Sequence, residues 1–135
     1  MLSKVISASY LGVEGYLIQV EVDISRGLPA FELVGLPNAA VREARERVRA
    51  ALRNSPYPFP TKRITINLAP ADIPKQGSYL DLPIATGILA AQQIIPNDYL
   101  TKYAVLGELS LDGQVQPVKG VLAMALTCKE AGLKG

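Results

Sequence analysis

The sequence predicts a mixed α/β (α+β) domain in which strands and helices share one core. Two β-rich runs near the amino terminus, the second alternating between apolar and polar residues, predict a sheet. Apolar residues recur at helical spacing in later segments, and Gly, Pro and Asn clusters separate the blocks. At 135 residues, 49% of them apolar, the chain matches a single domain and can bury about two-thirds of the surface it exposes when unfolded.

Residues 5–11 (VISASYL) and 16–24 (YLIQVEVDI) read as strands, with glycines at 12 and 15 for a hairpin between them. Ser25-Arg26-Gly27 makes the next turn and residues 30–34 a third strand, so the expectation is an opening three-stranded antiparallel sheet. Asn38 is a suitable N-cap for a helix over 39–54, whose apolar face is Val41, Ala44, Val48, Ala51 and Leu52. The proline-rich segment 55–60 ends that helix as a stiff loop. A strand follows at 63–69, then a loop to Gly77.

Leu80, Ile84, Ile88, Ala91 and Ile95 mark a second helix. Its start has two readings: a capping box of Ser78 with Asp81, or Asp81 as N-cap with Pro83 in the first turn. Residues 103–111 read as a strand, Asp112-Gly113 as a turn and 114–116 as a short return strand. A third helix is expected over 120–131, with Val121, Met124, Ala125 and Cys128 on its inner side. Gly132 and the residues after it form a C-cap signal, so this reading takes 1–135 as one domain cut before a final strand.

Composition narrows the chemistry. The chain has no histidine, which excludes a Ser–His–Asp or Cys–His site and removes the commonest zinc ligand. Its one cysteine, Cys128, reads as packing. The net charge of +2 does not by itself demand a nucleic-acid partner. The apolar stretch 80–95 contains Asp81, Pro83 and two glutamines and does not suit a membrane span. Met1-Leu2-Ser3-Lys4 runs straight into a strand pattern with no secretory signal, so a cytoplasmic protein is expected.

No Gly-x-x-x-x-Gly-Lys-Ser/Thr phosphate loop occurs. Arg42, Arg45, Arg49 and Arg53 recur along the helix at 39–54, and Lys62 and Arg63 follow. One reading is a stripe that tracks nucleic-acid phosphates. The other, preferred here, is a solvated or subunit-facing surface, with Glu46 on the same side and Glu43 placed to pair with Arg47. Tyr57 and Phe59 sit in the proline loop, so no aromatic residues interleave with the arginines. Asp72, Asp81 and Glu108 are the residues that a divalent-ion site would use, but no metal site is expected.

Three blocks, VGLPNAAVREARERVRAAL, NLAPADIPKQGSYLDLPIATGIL and GELSLDGQVQPVKGVLAMAL, resemble the amino-terminal domain of magnesium-chelatase-like AAA+ ATPases of the competence protein ComM or YifB type. The resemblance covers essentially the whole chain. It implies the ribosomal protein S5 domain 2-like fold shared with the Lon protease domain, an antiparallel or mixed sheet with helices on one face. It also implies a downstream AAA+ module that uses ATP and Mg2+, a hexameric ring of the full-length protein, and DNA remodelling in recombination and natural transformation. This fragment itself is expected to need no cofactor.

Lon-type proteases carry a serine at the start of the helix after the PK-x-G loop and a lysine in the helix after the G-E-x-x-x-x-G strand. Matched onto Lys75-Gln76-Gly77 and onto Gly107 to Gly120, those positions fall on Tyr79 and Leu122. Leucine accepts no proton, and a phenol with no base beside it is a poor nucleophile. A one-residue shift offers Ser78, but with Val121 as its base, and Lys119 lies most of a helical turn too early. The resemblance therefore implies a non-catalytic scaffold, with a degenerate serine peptidase or a protein-partner module as alternatives.

Overall fold

The computed structural model describes Met1–Gly135. Strands β1 (Leu2–Leu11) and β2 (Glu14–Ser25) form the expected hairpin, with Val5 opposite Val20 and Leu11 opposite Glu14. Two further strands, β3 (Ala30–Val34) and β4 (Arg63–Ala69), complete a sheet of order β1-β2-β4-β3. β4 runs antiparallel to β2, whereas β3 pairs parallel to β4. The expected three-stranded antiparallel opening is thus corrected: β3 never touches β2, because β4 inserts between them. Alternation specifies which face a strand buries and is silent about its neighbour. A parallel pair also needs a crossover, which the helical segment between β3 and β4 supplies.

That segment is α1 (Ala39–Arg42) and α2 (Ala44–Arg53), one predicted helix divided by a turn at Glu43. Asn38 Oδ1 accepts the Val41 amide at 2.9 Å, as the N-cap reading requires. The five predicted face residues from Val41 to Leu52 are all buried. Helix α3 (Asp81–Ala91) packs almost entirely inside the core and stops before Ile95, with Gln93 at φ 61°. A Cβ on Gly87 would lie 2.5 Å from Val22 Cγ2, so this glycine lets the helix sit close on β2.

Helix α4 (Val121–Glu130) buries Met124 and Cys128 but exposes Val121 and Ala125, contrary to expectation. Its contact stripe is rotated because the helix lies across Gly15, where a Cβ would meet Thr127 Oγ1 at 2.2 Å and the Ala123 carbonyl at 2.6 Å. Gly15 and Val22 lie seven residues apart on one strand and so face opposite sides of the sheet. Helix α3, with α2 packed against it, therefore lies on one face and α4 covers the other near the hairpin, which corrects the implied placement of the helices on one face. The mixed α+β class stands.

The predicted strand over 103–111 is realised in two pieces. Ala104 bridges Ile6, and β5 (Glu108–Leu109) pairs with β6 (Val115–Gln116). Between them the Gly107 amide donates to the Tyr79 carbonyl at 2.9 Å and its carbonyl accepts from Leu82 N at 3.0 Å. The backbone there serves the start of α3 instead of a ladder.

Asp81 accounts for how these pieces lock. It neither caps α3, whose N-cap is Leu80, nor joins a metal cluster. Its fully buried carboxylate accepts Arg47 Nε at 2.6 Å, Arg47 Nη2 at 3.0 Å and the Leu109 amide at 3.1 Å. Arg47 also reaches Glu43 at 3.4 Å, the predicted pair, and its pKa is held above the ordinary arginine value chiefly by the hydrogen bond to Asp81. One carboxylate thus ties α2, α3 and β5 together.

Lys75 is the other buried charge. Its backbone exchanges hydrogen bonds with Leu36 and Asn38, each at 3.0 Å, and its fully buried Nζ donates to the Pro70 carbonyl. Burial lowers its pKa below the ordinary lysine value, opposed by the charge of Asp72.

Two outcomes follow. Asp81→Ala strands the Arg47 guanidinium and costs about 3–5 kcal/mol in urea unfolding, most of it recovered when Arg47→Met is added; a loss below about 1 kcal/mol contradicts the lock. The native state holds the Lys75 proton less tightly than the unfolded chain does, so stability from this group rises with pH up to the ordinary lysine pKa. The melting temperature of the parent relative to Lys75→Met is expected to increase from pH 8 to pH 10, and a constant or falling difference contradicts it.

Candidate functional site

The crossover builds a cleft of about 610 Å³ between β3, the carboxy-terminal half of α2 and the proline loop. Phe31 on β3 and Phe59 on the loop pack with centroids 5.7 Å apart. Arg49 lies over both rings, at 5.7 and 6.0 Å, and Arg53 lies over Phe59 at 6.0 Å. Tyr57 and Lys62 complete the cationic and aromatic lining, which contains no acidic residue. Arg49 donates to the Glu46 carboxylate at 3.3 Å, while Arg53 and Lys62 have no ion-pair partner.

The six basic residues singled out in the sequence divide accordingly. Arg49, Arg53 and Lys62 line the cleft. Arg45 reaches the Phe31 carbonyl at 3.5 Å, below the cleft on the same helix. Arg42, at the end of α1, and Arg63, at the start of β4, are exposed and lie outside its lining. The expectation that no aromatic residue joins the arginines is corrected: Phe31, Tyr57 and Phe59 do. The proline loop bends at Ser55–Tyr57 and so carries Tyr57 and Phe59 back toward α2, while Phe31 comes from β3, the edge strand beside β4. The spacing of PYPFP next to an arginine-bearing helix was the available signal.

The peptidase positions look different. The Tyr79 hydroxyl is buried and paired with Ser9, and burial raises its pKa above the ordinary tyrosine value despite that bond. Leu122 is 76% exposed on α4. The nearest lysine in the matched loop, Lys75, spends its amine on Pro70, and Lys119 is exposed outside any hydrogen bond with Ser78. No group of three or more acidic or cysteine side chains is placed to hold a metal ion, and Cys128 is buried with its thiol pushed up by burial.

Known proteins match the chain along nearly its whole length. A family model described as subunit ChlI of Mg-chelatase matches residues 20–135. Competence protein ComM of Haemophilus influenzae is 46% identical over 130 residues, 96% of this chain and 26% of that protein. The uncharacterized protein YifB of Escherichia coli is 48% identical over 133 residues, 98% of this chain and 26% of its own length. Lon protease of Treponema pallidum is 26% identical over 140 residues, covering 15% of that enzyme. The chain thus spans about a quarter of the length of ComM and YifB. Its sequence match and mixed α+β fold agree, and the chain belongs to the family of Mg-chelatase subunit ChlI, among the AAA+ proteins.

Proposed function

We propose that this chain is the non-catalytic, amino-terminal assembly domain of a cytoplasmic DNA-remodelling AAA+ ATPase that acts in recombination. The observation that carries the reading is the chemistry at the two Lon-type positions. A buried phenol held by Ser9 and an exposed leucine supply neither nucleophile nor base. ATP and Mg2+ belong, in this reading, to a separate module of the longer protein, and the chain takes part in a homo-oligomeric ring. The similarity to a protein named for competence supports the link to DNA uptake and exchange.

The outward face of α4 supports the assembly role. Leu122 and Leu126 are exposed there, and Leu126 lies close to Val13 at the hairpin tip. An unpartnered apolar face of this kind suits contact with the ATPase module or a neighbouring subunit.

A serine-directed fluorophosphonate probe is expected to leave the folded chain unlabelled; labelling that Ser78→Ala or Tyr79→Phe abolishes contradicts the non-catalytic reading. In the longer protein, Leu122→Glu with Leu126→Glu is expected to weaken ring assembly in analytical sedimentation. Unchanged assembly contradicts the role given to α4.

A further inference from the structure

From the cleft geometry we infer that this chain binds single-stranded DNA, with an unpaired base stacked on Tyr57 and the backbone phosphates held by Arg53 and Lys62. The inference rests on the reading above for its choice of DNA over RNA, and otherwise on the cleft. Tyr57 is the aromatic residue left open, 46% exposed, whereas Phe31 is buried and Phe59 half-buried beneath the guanidinium groups. Arg53 and Lys62 are exposed cations without a carboxylate partner, so neither must break an ion pair to meet a phosphate. Arg49 is already engaged by Glu46 and serves to hold the two phenylalanine rings in place.

The loop is organised before any ligand arrives. Pro56, Pro58 and Pro60 restrict its backbone. Ser55 Oγ accepts the Tyr57 amide at 3.2 Å and donates to the Leu52 carbonyl at 2.7 Å, while Gln92 donates to the Pro58 carbonyl at 3.4 Å. Little ordering entropy then remains to be lost on binding. The cleft volume falls within the roughly 300–1,000 Å³ of ligand sites, room for a nucleotide and its phosphate.

A duplex keeps its base faces stacked inside and offers this cleft phosphates, sugars and groove edges but no open face to stack on Tyr57. The carboxylates of an acidic peptide would use the cations but bring no aromatic ring to stack on Tyr57. The combination of one open ring with unpaired cations therefore favours an unpaired nucleic-acid strand.

The test is fluorescence anisotropy of the 135-residue chain with a labelled oligothymidylate of about 12 nucleotides and with a duplex of equal length, across a salt series. Expected are salt-sensitive binding that is tighter for the single strand, a loss of about tenfold for Tyr57→Ala, and a salt slope smaller by about one to two for Arg53→Gln with Lys62→Gln. All three residues are exposed, and unchanged circular-dichroism melting checks that each variant folds. Three results overturn the inference: no binding of oligothymidylate at low salt, binding indifferent to these substitutions, or displacement by oligoglutamate as effective as by unlabelled oligothymidylate, which would assign the cleft to a protein partner. Failure here alongside a clean probe experiment and intact dependence of assembly on Leu122 and Leu126 would leave the scaffold reading standing.

Discussion

A single buried carboxylate organises this domain. Asp81 takes two hydrogen bonds from Arg47 and one from the Leu109 amide, and so joins α2, α3 and the small β5–β6 hairpin. Burial presses the carboxyl toward its neutral form while the guanidinium and the amide hold it charged. Such a pair adds little net stability compared with a well-packed apolar equivalent, but losing either partner leaves an uncompensated charge. Its larger consequence is directional. A helix turns by about 100° per residue, so anchoring Arg47 against α3 turns Arg49 and Arg53 away from that contact. They meet Phe31 and Phe59 on the far side.

The sheet order completes the arrangement. Because β4 runs between β2 and β3, the parallel strand becomes an edge, and the crossover returns along it. The edge strand, the end of α2 and the proline loop then converge, which no two of them could do in a simple meander. On the opposite side of the sheet, α4 spans the hairpin at Gly15 and leaves leucines outward. The domain thus presents a cationic, aromatic surface at one place and an apolar helix at another. That division suits a part that both touches a ligand and joins an assembly.

Much of this was legible residue by residue. Alternation in β2, the β-rich run of β1, the Asn38 cap and the buried stripe of α2 all follow from local composition, periodicity and capping chemistry, and the structure has them where the sequence put them. Local signals do not say which strands are neighbours, so β3 was misplaced and Phe31 was never brought beside the arginines. Asp81 read as a cap because its sequence position allows it; its role depends on a guanidinium 34 residues away. The rotation of α4 follows from a glycine on another element, which a helix's own period cannot reveal. The six basic residues were picked out together, but spacing along one helix could not separate those that line the cleft from those beyond it.

The Tyr79 hydroxyl is held by Ser9 and Leu122 is exposed, and both sit in a domain whose shape is set elsewhere. That shape depends on the three-way junction at Asp81. Native-state hydrogen exchange of the Leu109 amide tests it most directly. If the junction opens only when the whole domain unfolds, Leu109 exchanges with the same free energy as the core amides of β2 such as Val22. Exchange of Leu109 many-fold faster while Val22 stays protected would show that the junction opens by itself and does not hold the domain together.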